Sequence, residues 1–236
     1  MTKLLASVTN VSEALLAVDA GVDIIDLKNP AEGALGALPL SEIGEITRAI
    51  DGCKLISATI GDLPMEPELL KRATEHMAAT GVDIVKIGFF GSANHSACIK
   101  ALQPLAAKGV RIVAVLFADQ NPDFALLPEL QLAGFYGVML DTAQKNGNSL
   151  LDYISVNDLQ GFVELALSHK LESGLAGSLR LDHVPGLITL APGYIGFRGA
   201  LCANFERIAA LSSNKIYELQ AVLHKCNMQV ADIACT

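Results

Sequence analysis

Short runs rich in Val, Ile and Leu alternate with longer amphipathic runs along the whole chain. The short runs are bounded by turn residues and predict strands at about residues 3–8, 23–28, 54–59, 83–88, 110–116, 136–141, 172–177 and 194–198. The longer runs predict helices, such as the first, where Val11, Ala14, Leu15 and Val18 share one face. Gly21 is expected to end this helix in a left-handed conformation.

Eight strand–helix units without a linker favour a closed parallel barrel, that is, a single (β/α)8 TIM barrel over residues 1–236. The alternative is an open doubly wound sheet, which often has a glycine-rich first turn. The turn after the first predicted strand, SVTNVSE, contains no glycine, so the barrel is favoured. From about residue 224 the chain is expected to form either a frayed end or a small packing segment.

Composition excludes several classes of protein. The chain is 51% apolar, which suits a large folded core, and its net charge of −8 without a Lys/Arg run argues against a nucleic-acid partner. No apolar stretch approaches the roughly 20 residues of a membrane span, and no signal-peptide pattern begins the chain. Five scattered cysteines indicate free thiols in a reducing compartment, which favours the cytoplasm. They are Cys53, Cys98, Cys202, Cys226 and Cys235.

Ionisable residues lie near the ends of the even-numbered predicted strands. Side chains alternate along a strand, so Asp26 and Lys28 should point into the barrel while their aliphatic neighbours point outward. The fourth and sixth strands have the same phase, which turns Lys86 and Asp141 inward. Alternate strands share a layer of barrel side chains, so these four residues should meet near the barrel mouth. An ion-pair network with only a structural role is the alternative.

Two inward lysines side by side suggest imine chemistry. A partly desolvated lysine beside a second cation has a lowered pKa, and its neutral amine can attack a carbonyl to form a Schiff base. Asp26 or Asp141 can then move the protons of imine formation. The imine acts as the electron sink, so neither a metal nor another cofactor is expected, and the five histidines form no metal-spaced cluster.

Glycine turns follow the seventh and eighth predicted strands. They contain Gly177 and Ser178 in one case and Gly199 and Ala200 in the other, where barrels commonly bind a phosphate through backbone N–H groups. Arg198 is expected to add charge to this contact. The alternative is that the glycines only make tight turns.

Two further features are ambiguous. Residues 29–37 have the length and glycine content of a mobile lid, but also of an ordinary loop after a strand. His95 could reach the barrel mouth, although a solvated residue at the start of a helix is the favoured interpretation.

Six segments, in the same order and at matching spacing, resemble the (5-formylfuran-3-yl)methyl phosphate synthases, also called 4-(hydroxymethyl)-2-furancarboxaldehyde-phosphate synthases. They are residues 23–30, 57–62, 85–88, 139–143, 175–179 and 197–200. The resemblance implies a TIM-barrel carbon–oxygen lyase that condenses two molecules of glyceraldehyde 3-phosphate with loss of one phosphate and two waters. Its product would feed methanofuran biosynthesis and one-carbon metabolism.

The resemblance also implies residue roles. Lys28 matches the Schiff-base lysine, Lys86 the proton acceptor, and Asp26 and Asp141 the acidic members of the site. Lys145 lies where the family tends to carry a substrate-binding lysine. The chain departs from the family at residues 203–207, where relatives often have a longer, glycine-rich and charged stretch.

Two other functions remain open from the residues themselves. One is another class I, Schiff-base aldolase acting on a sugar phosphate. The other is a non-catalytic barrel that binds a phosphate ligand. A triose phosphate is the expected small-molecule partner, and a homo-oligomer is compatible with the sequence.

Overall fold

The computed structural model describes residues 1–91 and 93–234 and shows a closed barrel of parallel strands. Each strand pairs with the next, and the eighth pairs with the first. The strands are β1 (Lys3–Val8), β2 (Ile24–Leu27), β3 (Leu55–Thr59), β4 (Ile84–Phe89), β5 (Arg111–Phe117), β6 (Gly137–Asp141), β7 (Glu172–Leu175) and β8 (Tyr194–Phe197). All eight predicted strands are therefore confirmed, with boundaries shifted by two residues or fewer, and so is the (β/α)8 fold.

Helices surround the barrel and connect its strands. They are α1 (Val11–Asp19), α2 (Leu40–Ile50), α3 (Pro67–Ala78), α4 (His95–Ala107), α5 (Leu127–Leu132), α6 (Leu150–Tyr153), α7 (Val156–Ser168), α8 (Val184–Ile188) and α9 (Ser213–Ala234). Within residues 1–91 and 93–234, no helix combines the length and apolar character needed to cross a membrane. In the same part of the chain, no group of three or more His, Cys, Asp or Glu side chains could hold a metal ion.

The barrel separates two apolar layers. The outward strand residues, such as Ile25, Val85 and Ile87, pack on the helices in the larger core. The inward residues, such as Leu5 and Met139, fill the barrel interior in a smaller core. This alternation confirms the predicted phase of the even strands, and it leaves the upper interior to ionisable side chains.

The first helix differs in one respect from the amphipathic prediction. Its buried face is Glu13, Ala14 and Ala17, whereas Leu15 is exposed. The predicted end is confirmed, because Gly21 has a φ of +82°. A buried glutamate on this face was not expected, and its ion-pair partner, Arg198, lies 185 residues later in the chain.

The segment after Leu223 continues α9 as far as Ala234. The Asn227 side-chain amide donates to the Thr2 carbonyl at 2.9 Å, and the Thr2 N–H donates to Asn227 Oδ1 at 3.0 Å. These bonds tie this part of the helix to the start of β1, so it packs on the barrel rather than fraying at residue 224. Cys235 lies outside the described residues.

Candidate active site

A cavity of about 580 Å³ opens where the carboxyl ends of the strands meet. This is the size range of small-molecule sites. Every residue that the sequence singled out for catalysis or phosphate binding lines this cavity: Asp26, Lys28, Lys86, Asp141, Lys145, Gly177, Ser178, Arg198, Gly199 and Ala200. The alternation of the strands thus brings the predicted set together. Ser7, Arg180, Phe205 and Arg207 also line the cavity and were not anticipated.

Lys86 and Asp26 form a buried ion pair on the floor of the cavity. The Lys86 ammonium lies 2.6 Å from Asp26 Oδ1, and both side chains are almost fully buried. The Ser57 hydroxyl donates to the same Asp26 oxygen at 2.6 Å, and the Ser7 hydroxyl donates to the other at 2.8 Å. Both serines follow from the inward phase of β1 and β3. Three donors therefore fix the carboxylate in place.

Lys28 and Asp141 form a second pair nearer the mouth. The Lys28 ammonium lies 3.5 Å from Asp141 Oδ2. The other oxygen, Oδ1, accepts from Lys145 at 2.8 Å and from the Thr142 backbone N–H at 2.7 Å. The carboxylate paired with Lys28 is thus Asp141. Of the two carboxylates that the sequence offered for proton transfer, Asp26 is held by Lys86 and Asp141 is the one paired with Lys28.

The electrostatics of the floor separate the groups. Burial disfavours the Asp26 carboxylate, but Lys86, Lys28 and the serine hydroxyl of Ser57 outweigh it and hold the pKa of Asp26 below its usual range. Burial lowers the pKa of Lys86; Asp26 opposes this change and the Lys28 charge adds to it. A lowered lysine pKa increases the neutral fraction that can accept a proton.

The same reasoning applies to the upper pair. Burial raises the pKa of Asp141, but Lys145 and Lys28 overcome it, so the pKa of Asp141 lies well below the ordinary value. Burial also lowers the pKa of Lys145, with Asp141 opposing and Lys28 contributing. Two lysines share Asp141, which brings positive charge close to Lys28.

Lys145 donates to Asp141 Oδ1 and to two oxygens of Thr142, its carbonyl at 2.6 Å and its hydroxyl at 3.0 Å. An ammonium group has three N–H donors, so these protein oxygens use all of them. In this geometry Lys145 acts on Asp141, and direct substrate binding by Lys145 would require one of these bonds to break.

Arg198 lines the cavity but faces protein oxygens. Its guanidinium donates to both carboxylate oxygens of Glu13, at 2.6 and 3.2 Å, and to the carbonyls of Ser7, Arg207 and Ala209. All the donating nitrogens of its guanidinium are engaged. Arg198 therefore has no N–H left for a direct bond to a phosphate in this geometry, and its contribution of charge to a phosphate contact stays a prediction. Arg198 holds the loop after β8 against α1.

The glycine turn after β7 has a constrained backbone. Gly177 has a φ of +108°, and a Cβ built on it would lie 2.9 Å from the Thr142 side chain. Ser178 follows with a φ of +49°. The turn after β8 forms a short 3-10 helix, Gly199–Leu201. Both turns border the cavity, as predicted, and Arg180 lies on the same loop as Ser178.

The loop after β2 is tied down. Asp62 accepts the backbone N–H groups of Ala34 at 2.8 Å and Leu35 at 2.7 Å, and the Thr59 hydroxyl donates to the Gly36 carbonyl. Leu35 is buried. These are the contacts of an ordered loop after a strand, the simpler of the two interpretations of residues 29–37.

His95 lies at the start of α4, where its ring packs edge-on against Phe89 at 5.4 Å between centroids. It does not line the cavity. The interpretation as a residue at the start of a helix is therefore the one the geometry supports.

A closed parallel barrel with paired lysines and aspartates at its mouth has the architecture of a (β/α)8-barrel enzyme. The model of the 4-HFC-P synthase family matches residues 4–220, and the chain belongs to this family. The family resemblance inferred from the six segments is thus confirmed.

Relatives match over most of their length. A (5-formylfuran-3-yl)methyl phosphate synthase of Methanopyrus kandleri is 36% identical over 94% of this chain and 98% of its own. One of Archaeoglobus fulgidus is 34% identical over 94% of this chain and 99% of its own. A relative from Methylorubrum extorquens, whose name assigns the same activity provisionally, is 40% identical over 91% of this chain and 88% of its own.

Solved structures share the fold. The 3-hexulose-6-phosphate synthase of Salmonella typhimurium superimposes with a TM-score of 0.70 at 18% identity, over 95% of this chain and 100% of that one. Phosphoribosyl anthranilate isomerase of Thermus thermophilus gives a TM-score of 0.67 at 15% identity, over 95% and 99% of the two chains. At these identities the likeness concerns the barrel alone.

Proposed function

We propose that the protein condenses two molecules of glyceraldehyde 3-phosphate into (5-formylfuran-3-yl)methyl phosphate, releasing one phosphate and two waters, and so supplies methanofuran biosynthesis. The observation that carries the proposal is the placement of Lys28 and Lys86, each paired with its own aspartate, on one cavity of a 4-HFC-P synthase family member. The names of the relatives support the product.

Lys28 carries the covalent intermediate in this proposal. Its amine adds to the aldehyde carbon of the first triose phosphate and water leaves, which gives a protonated imine. Asp141 lies 3.5 Å from the Lys28 nitrogen, and this distance supports Asp141 as the carboxylate that moves these protons in the proposal. Lys28 lies nearer the cavity opening than Lys86, since its side chain is 8% exposed against 2%.

Lys86 removes the proton from the carbon next to the imine. The electrons of that C–H bond form an enamine, which then expels the phosphate from the third carbon. Lys86 accepts the proton as a neutral amine, and the resulting ammonium ion is stabilised by Asp26 at 2.6 Å. The lowered pKa of Lys86 suits it to this role.

The three-carbon unit left on Lys28 is an imine conjugated to a C=C bond. The second triose phosphate, whose C2 proton passes to the released phosphate, adds through C2 to the third carbon of this unit, and the displaced electrons move to the imine nitrogen. The phosphate of this second triose remains in the product. Ring closure and loss of two waters complete the furan, and hydrolysis of the imine frees Lys28. The turns at Gly177 and Gly199 line the cavity and are the proposed phosphate contacts. The imine provides the electron sink, so the proposal requires no metal.

Mass spectrometry of the product after incubation with glyceraldehyde 3-phosphate alone tests the proposal. Furan phosphate should appear together with one inorganic phosphate for every two triose phosphates consumed. The Lys28→Ala variant should form neither, whereas Lys100→Ala, which removes an exposed lysine on α4, should match the wild type. Reversible formation of a six-carbon sugar bisphosphate without phosphate release would instead show a class I aldolase.

A further inference from the structure

Arg207 occupies a distinct position at the rim of the cavity. It lies in the loop after β8, lines the cavity, and donates from Nη2 to the carbonyl of Gly33 at 2.8 Å. Gly33 belongs to the loop after β2. The side chain therefore spans from the eighth strand's loop, past the first strand, to the second strand's loop.

The donors of Arg207 are largely uncommitted. Within residues 1–91 and 93–234, the bond to Gly33 is the hydrogen bond that the guanidinium makes. The neighbouring cations differ, because Arg198 and Lys145 direct their N–H groups to protein oxygens. A guanidinium has five N–H donors in a planar fork that matches a phosphate. Arg207 therefore keeps most of its N–H donors available for a ligand.

The backbone that carries Arg207 is held in a fixed place. Arg198 donates to the carbonyls of Arg207 and Ala209, and Glu13 accepts the Leu211 N–H at 3.1 Å. The preceding Phe205 has a φ of +61°, a left-handed conformation that is unusual for a large side chain. Such conformations persist where the surroundings enforce them, and they cluster at functional sites.

The proposed reaction places two phosphate groups in one cavity, one that leaves and one that stays in the product. The turn at Gly177 and Ser178, with Arg180 on the same loop, lines the cavity beside β7 and is the first proposed phosphate contact. Arg207 provides positive charge at a second position, where its bond to Gly33 joins the β8 and β2 loops. Two phosphate dianions repel each other at short distance, so separate sites would let the second triose phosphate bind before the released phosphate has left the cavity.

We propose that Arg207 binds the phosphate group of the second triose phosphate, at a site separate from the Gly177–Ser178 turn. This inference deepens the proposed function and rests on it for the identity of the ligand. Arg198 and Glu13 are positioning residues for this site, since they hold the Arg207 backbone without facing the ligand.

Titration calorimetry with inorganic phosphate tests the site without requiring turnover. The wild type should bind two equivalents, and Arg207→Ala should bind one with its affinity unchanged. Arg207→Lys keeps the charge and should recover the second equivalent with weaker affinity. Arg72→Ala, which removes an exposed arginine on α3, is the matched control and should bind two. Binding of two equivalents to Arg207→Ala, or of one to the wild type, would overturn the proposal.

Kinetics provide an independent readout. Loss of a charged hydrogen-bonding partner should raise the KM for glyceraldehyde 3-phosphate about ten- to a hundredfold in Arg207→Ala. Borohydride trapping of the first substrate on Lys28 should persist at saturating concentration, because that step precedes the second phosphate. An unchanged KM with unchanged phosphate stoichiometry would show that Arg207 only ties the two loops together.

The two proposals can fail separately. In one outcome, the wild type makes no furan phosphate while Arg207→Ala binds one equivalent of phosphate fewer than the wild type. In that case the anion site stands and the proposed reaction does not. If furan phosphate forms and Arg207→Ala alters neither binding nor KM, the reaction stands and the Arg207 site does not.

Discussion

The Lys86 ammonium lies 2.6 Å from Asp26 Oδ1, and the two side chains are 2% and 0% exposed. A charge in such a place is tolerated because its partner and the surrounding hydroxyls replace the lost water. Ser7 and Ser57 supply those hydroxyls. The floor of the cavity is therefore one ionic unit, in which no member can be altered alone without a cost to folding.

Asp26→Asn should destabilise the protein by about 3–5 kcal/mol, because it leaves the Lys86 charge buried without its counter-ion. Urea denaturation followed by circular dichroism measures this change. The double variant Asp26→Asn/Lys86→Met should recover most of the loss, since it removes both charges. Equal stability of Asp26→Asn and the wild type would contradict a charged pair.

Lys28→Ala should abolish borohydride trapping with glyceraldehyde 3-phosphate, whereas Lys86→Ala should slow turnover severely and leave some trapping. The reason is that the amine forming the imine and the amine removing the proton act at different steps. Peptide mapping of the reduced adduct identifies the modified residue. An adduct on Lys86, with Lys28 unmodified, would exchange the two roles.

The rate should rise with pH, and the midpoint of this rise should lie below the ordinary lysine pKa of 10.5. The reason is that burial lowers the pKa of Lys86 and only its neutral form accepts a proton. The sign follows from the deprotonated fraction, which increases as pH rises through the pKa. A profile of kcat/KM against pH measures this limb. Lys86→Ala should lose it, and a persisting limb would assign the base to another group.

Gly177→Ala should raise the KM for the triose phosphate about tenfold, which corresponds to about 1.4 kcal/mol of lost binding. The added Cβ would lie 2.9 Å from the Thr142 side chain at a φ of +108°, so the turn must move. Gly161→Ala is the matched control, because its Cβ meets nothing within 4 Å. Equal kinetics in both variants would remove this turn from phosphate binding.

Glu13→Gln should make stability less sensitive to acid. Arg198 and Thr9 overcome the effect of burial and lower the pKa of Glu13 from 4.5. A carboxyl pKa that is lowered on folding stabilises the fold at pH values above the pKa of the unfolded state. This contribution disappears as the pH falls through the pKa of the folded state. Urea midpoints measured from about pH 6 down to about pH 3, a range that spans the ordinary carboxyl pKa, should fall less steeply in the variant. Parallel curves for the two proteins would contradict this.

The strands and the inward set could be predicted because both depend on a local rule. Side chains alternate along a strand, so the phase of Ile25 and Leu27 determines the direction of Asp26 and Lys28. Closure of the barrel then brings the inward residues to one cavity. The functional roles of these residues stay predictions.

The pairing within the set could not be predicted from alternation. Alternation left both Asp26 and Asp141 open as partners of Lys28, but Asp26 pairs with Lys86, two strands away, and Asp141 pairs with Lys28. Which inward residues meet depends on strand stagger and tilt, and these are properties of the whole barrel.

The hydrogen-bond partners of Arg198 and Lys145 could not be predicted from the sequence either. Lys145 donates to Thr142 in its own loop, and Arg198 donates to Glu13, which the helical pattern did not place on the apolar face of α1. Among the described residues, the guanidinium of Arg207 keeps most of its donors uncommitted, and this can be seen only once the partners of the neighbouring cations are known.

The Arg198–Glu13 pair has a consequence for synthesis of the chain. Glu13 precedes Arg198 by 185 residues. At ordinary ribosomal speeds, Glu13 leaves the ribosome roughly 10–40 s before its partner is made. During that interval the first helix carries a carboxylate on its inner face with no guanidinium to receive it, so its final docking must wait. The rim of the cavity is therefore assembled late, after nearly the whole polypeptide has been translated.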